Sequence, residues 1–249
     1  MSFVQGGAGR LRVSDGGSGE PVLILVHGLG SELETWRPVL ERLRPSHRTI
    51  AYDQRGHGGS DPATEYSVEL LTEDLDRVVQ ALQLSKFWLV GHSFSGTVVS
   101  AYAAKHPEHV AGVVYVDAVG DASRAPAEVK EYFRKHDEGM TPPRLRESYQ
   151  QMLGPKAKPA TREAVLDSSA RMDLKAFAAL RASMANFDGL AAARAYAGPR
   201  VAIVAEGSEN PVSAERLPAT QRIVIPNVSH WLMLDDPDKT ARAIEEATL

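Results

Sequence analysis

The chain contains no cysteine, which excludes disulfides, thiol nucleophiles and cysteine metal sites together. It also lacks any excess of basic residues: 28 Lys and Arg stand against 32 Asp and Glu, a formal net charge of −4. Without a positive field, neither nucleic acid nor a membrane is expected as a partner. No apolar run approaches the roughly 20 residues that a spanning helix needs. The first residues, MSFVQGGAGRLRV, lack a basic stretch followed by an apolar core, so no secretory signal is expected. The eight histidines are scattered, without H-x-x-x-H or H-E-x-x-H spacing, and neither a metal nor an organic cofactor is expected. GGAG, residues 6–9, precedes a strand pattern rather than a helix, which argues against a phosphate loop. What remains is an ordinary globular composition, 43% hydrophobic and 24% charged over 249 residues. A soluble, cytoplasmic protein with one sizeable core and a small-molecule substrate is the expectation.

Six short β-rich runs are present: 22–26, 48–53, 87–91, 110–117, 200–206 and 221–226. Each is nearly continuously apolar, the pattern of parallel strands covered on both faces. Helical patterns lie between most of them. In 65–84, Leu71, Leu75, Val78, Val79 and Leu82 form one stripe, with acids opposite. The alternation predicts an α/β sheet with right-handed crossovers, preceded by an antiparallel hairpin with glycine turns. From about 121 to 194 the strands stop and helical segments take over. Pro126, Pro142 and Pro143 stand where those helices begin. We therefore divide the chain into a core, 1–120 and 195–249, and a helical cap, 121–194, that forms a lid.

Gly91-His92-Ser93-Phe94-Ser95-Gly96 follows G-x-S-x-G between a strand and a helix, except that Ser95 holds the second glycine's place, so the glycines flank Ser93 two positions before and three after. There a serine sits on a sharp turn at a helix N-terminus, its hydroxyl exposed, and the glycines relieve close contacts. A serine alone is inert near neutral pH and needs a base. His230 follows the last strand by a short loop and is the expected base; His92, beside the serine, is expected to pack. The turn His27-Gly28-Leu29-Gly30 ends a strand, and the backbone amides of Leu29 and Phe94 are the expected oxyanion donors. His27 is expected to be structural.

HGLG, YDQRGHGGSD, GHSFSG and VSHWLMLDDP, in this order, resemble the α/β-hydrolase superfamily, in particular small cap-bearing esterases, enol-lactonases, C–C bond hydrolases and cofactor-free haloperoxidases. The resemblance covers nearly the whole chain. It implies an α/β-hydrolase fold: an eight-stranded, mostly parallel sheet flanked by helices, with a helical cap after strand six. It also implies Ser93 as nucleophile and His230 as base, and a structural part for Asp53, Arg55 and His57. One feature of the resemblance is missing. Most relatives carry an aspartate shortly after strand seven, where this chain has Ser208 or Asn210, neither able to carry the charge. Asp117, at the end of strand six, is the first candidate acid, since some superfamily members place theirs there. Glu206 is the alternative and Glu209 the third.

A serine, a base and an oxyanion hole predict acyl transfer through an acyl-serine, cleaving a small or medium, mostly apolar carboxylic ester or lactone. C–C bond cleavage or thioester hydrolysis on the same triad is the alternative, as is a ligand-binding protein of low turnover. The resemblance associates epoxide hydrolases and haloalkane dehalogenases with an aspartate at the position of Ser93, and so sets them apart. Leu29, Phe94, Trp231, Met184 and Phe187 are the expected apolar lining. Among the cap arginines, Arg144, Arg146 and Arg181 are equally candidates for anchoring a carboxylate and for a solvated helix face.

Overall fold

A computed structural model describes residues 1–249, and the apolar runs become eight strands: β1 Ser2–Gln5, β2 Arg10–Gly16, β3 Leu23–Val26, β4 Thr49–Tyr52, β5 Phe87–His92, β6 Val110–Val116, β7 Arg200–Ala205 and β8 Thr220–Ile225. They lie in the order β1-β2-β4-β3-β5-β6-β7-β8. β1 and β2 form the lead-in hairpin and β2 pairs antiparallel with β4; from β4 onward every pairing is parallel. Strands β3 to β7 are almost wholly buried, as continuous apolar runs require. β8 departs from that expectation. It is the edge strand, and Gln221, Arg222 and Val224 face solvent, charge and polarity that suit an unpaired edge.

Helices cover both faces. α1 (Arg37–Leu43) packs against α10 (Pro237–Ala247), which follows the one-turn helix α9 (Leu232–Asp235). α2 (Val68–Ala81) packs against α3 (Ser95–Lys105). α2 starts where Ser67 Oγ accepts from the Leu70 amide at 3.2 Å, an N-cap. Its buried stripe holds Leu71, Leu75, Val78 and Val79. None of the helices is long and apolar enough to cross a membrane.

Between β6 and β7 the chain forms no strand. It builds α4 (Ala127–Asp137), α5 (Pro142–Leu153), α6 (Pro159–Ser169), α7 (Leu174–Asn186) and α8 (Gly189–Ala195). α8 packs on α3, in the layer that covers the sheet, so the helices standing over the strand ends are α4 to α7. Prolines occupy the first turn of α5 and α6, where a missing N–H costs no intrahelical bond. α4 buries only Asp137, while Val129, Tyr132 and Phe133 are exposed.

The register brings the carboxyl ends of the central strands level. Val26 lies opposite Gly91, and Val116 opposite both His92 and Ile203. The residues just past those ends, 27–30, 93 and 117, are therefore neighbours. The 53–61 turn braces this edge from one side. The buried Asp53 carboxylate accepts from the Leu33 amide at 2.6 Å, the Gly59 amide at 2.7 Å and Arg12 Nε at 2.5 Å. Arg55 forks onto Asp74 at 2.5 and 2.8 Å, both buried. Replacing Asp53 by alanine leaves three donors without a partner and should cost about 3–5 kcal/mol. Urea unfolding of Asp53→Ala against wild type measures this; a loss below about 1 kcal/mol would show that the brace is dispensable.

Candidate active site

Ser93 stands on the corner between β5 and α3, with φ of +54°. A side-chain-bearing residue enters that region only at a cost, and hydrogen bonds hold it there. Its amide donates to Val116 O at 3.1 Å, and its carbonyl accepts from Val119 at 2.9 Å and Gly96 at 3.1 Å. The flanking glycines are needed for room. A Cβ on Gly91 would come 2.7 Å from Ser95 O, and one on Gly96 only 2.2 Å from Val119 O. The tight corner between strand and helix thus follows from the two residues with no side chain.

His230 lies on the loop after β8, and its Nδ1–H donates to Asp117 Oδ2 at 2.6 Å. Asp117 sits one residue past β6 with φ of +42°, a second turned corner. Its amide donates to Ile203 O at 2.7 Å, and its Oδ1 accepts from the Ala205 amide at 3.3 Å. Burial pushes this carboxyl up, but the His230 hydrogen bond and charge, with the Ala205 amide, outweigh it and hold its pKa below the usual value. Glu206 and Glu209, the other candidate acids, are exposed. Glu206 offers its carbonyl, not its carboxylate, to Lys156 Nζ at 2.8 Å.

His92 does more than pack. Its Nε2–H donates to the backbone carbonyl of His230 at 2.9 Å, and the two rings lie 4.7 Å apart. Burial, then the neighbouring His230, lowers its pKa to about 3, so it stays neutral. His27, also buried, takes the amide of Gln54 on Nε2 at 3.1 Å, and burial depresses its pKa strongly. Nothing local in the sequence announces the His92 bond, because its acceptor is 138 positions away.

The amides of Leu29 and Phe94 have no acceptor among the protein's own hydrogen bonds, although Phe94 is buried. Free buried N–H groups are rare. Here both belong to residues lining one cavity of about 1000 Å³, together with Ser93, Asp117 and His230. The Leu29 turn is held from above by Tyr149 of α5, whose hydroxyl donates to Leu29 O at 2.6 Å; this anchor was not visible in the sequence. Trp231 and Met184 line the cavity, and so does Phe177 of α7, which is not among the residues expected there from the sequence. Phe187 does not. It ends α7 with extended backbone and packs against the core instead, because the helix stops one residue short of it. Arg181 lines the cavity; Arg144 and Arg146 do not, and Arg144 donates to the carbonyls of His136, Glu138 and Gly139.

Comparison with known proteins adds a family match, one relative and two solved structures. The family described as alpha/beta hydrolase fold matches residues 21–158. "Epoxide hydrolase 3" of Xenopus tropicalis is 33% identical over 109 residues, covering 43% of this chain and 30% of that protein; the match thus spans about a third of the relative's length. Among solved structures, a thermophilic esterase from Thermogutta terrifontis superposes with a TM-score of 0.86 at 24% identity, covering 98% of this chain and 96% of that one. The enol-lactonase of Burkholderia xenovorans LB400 gives 0.85 at 18% identity, covering 98% of both.

The lowered Asp117 pKa has a direct consequence for stability. A depressed folded-state pKa contributes stability that is complete above the unfolded value, and that stability disappears as pH falls through the folded one. Asp117→Asn should therefore melt below wild type near pH 7, with the gap closing as pH falls below about 4. Calorimetric melts across that range measure it, and a gap that widens on acidification would contradict the assignment.

Proposed function

This chain belongs to the α/β-hydrolase fold family, and on that premise we propose that it is a serine hydrolase of small or medium, mostly apolar carboxylic esters or lactones. The carrying observation is the Asp117–His230 hydrogen bond at 2.6 Å, made on the wall of the cavity that Ser93 also lines. With Nδ1 committed to Asp117, the free ring nitrogen of His230 is Nε2, the one able to take the serine proton. Ser93 Oγ attacks the carbonyl carbon as its proton passes to Nε2, and the carbonyl π pair moves onto oxygen. That oxyanion accepts from the amides of Leu29 and Phe94, donors that no other group uses. Collapse breaks the bond to the leaving oxygen, which takes the proton from Nε2, and an acyl-serine remains. Water then attacks, giving its proton to Nε2; the second collapse returns that proton to Ser93 Oγ and releases the carboxylic acid.

Asp117 orients the imidazole and balances the charge it acquires. Its position against His230 supports it over Glu206 as the acid of the triad. Met184, Phe177 and Trp231 give the cavity apolar walls, which favour an acyl chain over a polysaccharide. The helices α4 to α7 then act as the lid. The serine at the elbow, where the resemblance associates epoxide opening with an aspartate, favours acyl transfer over the activity named for the epoxide hydrolase relative.

Two measurements test the reading. A fluorophosphonate should label wild-type protein at Ser93 and leave Ser93→Ala unmodified, with His230→Ala labelled far more slowly. On an activated ester, Asp117→Asn should lower kcat by about 10⁴, and Glu206→Gln should stay close to wild type. An unlabelled Ser93 with no ester turnover would sink the proposal; a large loss in Glu206→Gln alone would move the acid.

A further inference from the structure

Arg181 is the one strongly buried cation on the cavity wall. It sits on α7, its side chain 15% exposed, with Nε 3.0 Å from Asp137 Oδ2. Its guanidinium lies over the ring of Phe133 at 4.3 Å and that of Phe177 at 5.2 Å, a flat, apolar cradle suited to guanidinium. Arg181, Phe133 and Phe177 line the cavity; Asp137 does not. The acid thus meets the cation through Nε, and Asp137 Oδ1 is also engaged by His136 Nδ1 at 2.9 Å. Nη1 and Nη2 hydrogen-bond to nothing in the protein, yet they are not among its fully buried unpartnered atoms. They are therefore not fully enclosed, on a residue that lines the cavity.

A guanidinium presents five N–H donors in a fixed fork, and burying it with part of that fork unused is unfavourable. Burial pushes this guanidinium's pKa down while the Asp137 charge pushes it up. The wall around it is basic as well. Arg124, Lys130, Lys156 and Arg216 line the same cavity, against Asp117, Asp121 and Glu206, in a protein whose net charge is −4. Asp117 is engaged by His230, and Asp121 by the amides of Ser123 and Leu190 and by Arg124 at 3.2 Å, which leaves Lys130, Lys156, Arg181 and Arg216 against Glu206. Positive charge is therefore concentrated at this cavity against the trend of the whole molecule.

Building on the serine-hydrolase reading above, we infer that Arg181 is a specificity-determining residue that receives a carboxylate on the acyl part of the substrate, so that the preferred esters or lactones are half-esters of dicarboxylic acids or their cyclic counterparts. The carboxylate takes the free Nη edge as a two-point hydrogen bond. Phe133 and Phe177 flank the guanidinium, and the apolar walls carry the methylenes between carboxylate and scissile carbonyl. The competing role for Arg181 is a brace that ties α4 to α7 through Asp137.

Two esters of equal acyl length separate these roles: 4-nitrophenyl hydrogen succinate, with a terminal carboxylate, and 4-nitrophenyl butyrate, with a methyl group. Wild type should favour the succinate by roughly tenfold or more in kcat/KM, the range of a charge-assisted pair. Arg181→Met should bring that ratio to about 1, and Arg181→Lys should retain part of it. A ratio at or below 1 in wild type, or equal losses on both esters in Arg181→Met, overturns the inference and leaves the brace. Binding provides a readout without turnover. Calorimetry on Ser93→Ala with monomethyl succinate against methyl butyrate should show the same preference, and Ser93→Ala/Arg181→Lys should show less of it; an undiminished preference there overturns the inference even where Arg181→Met does not fold. Should wild type cleave neither nitrophenyl ester while Ser93→Ala keeps the preference, the hydrolase reading fails and the carboxylate site stands. Should both esters be cleaved without preference, the site fails alone.

Discussion

The candidate site depends on one contact, the 2.6 Å hydrogen bond from His230 Nδ1 to Asp117 Oδ2. The two residues are separated by 113 positions, so nothing local brings them together. The parallel sheet does. β6 ends at Val116 in register with Ile203 of β7, and the Asp117 amide continues that ladder by donating to Ile203 O. The chain then turns at positive φ, which carries the carboxylate out of the strand path and toward the loop after β8. A slip of one residue would move every side chain of β6 to the other face and remove the carboxylate from the histidine. The buried apolar runs of β5, β6 and β7 that fix the register are therefore as much a part of the site as the groups facing the cavity.

Two of the five non-glycine residues with positive φ stand at this edge. Ser93 and Asp117 both adopt left-handed backbone without being glycine, and each is the last step before a side chain enters the cavity. Such conformations persist where surrounding bonds over-determine them. Here those bonds come from the neighbouring strand: the Ser93 amide reaches Val116, and the Asp117 amide reaches Ile203. The central strands are almost wholly buried and paired on both sides, so they can hold two strained corners while α4 buries a single residue.

Most of the fold was legible in the sequence, because uninterrupted apolar runs and one-sided stripes are local patterns with a direct physical meaning. Six strands, the lead-in hairpin and the helical block between β6 and β7 could be read that way. β8 was overstated, since the run IVI looks alike in a central strand and at an edge, and only its neighbours distinguish the two. Ser93, with its glycines, was legible because the tight corner demands those residue types at that spacing. Asp117 could be placed at a strand end but not chosen over Glu206, because the choice turns on which way a loop folds. The roles of His92 and Tyr149 were out of reach, since each acts through a backbone carbonyl more than a hundred positions away. Phe187 was misplaced by a single residue at a helix end, where periodicity is least exact.

His92 explains how two histidines coexist here. In the proposed cycle His230 becomes a cation, and the His92 ring is only 4.7 Å from it. Two charges at that separation would repel by about 3–4 kcal/mol at an effective dielectric near 20, enough to cancel much of what a general base contributes. Full burial prevents this by holding His92 neutral, with a pKa of about 3. A neutral imidazole still has one N–H to give, and it goes to the His230 carbonyl, steadying the base loop without adding charge. The only group left to meet the developing imidazolium directly is Asp117, of opposite sign. Full burial of one histidine and partial exposure of the other thus assign them different work, although they lie against each other on the wall of the same cavity.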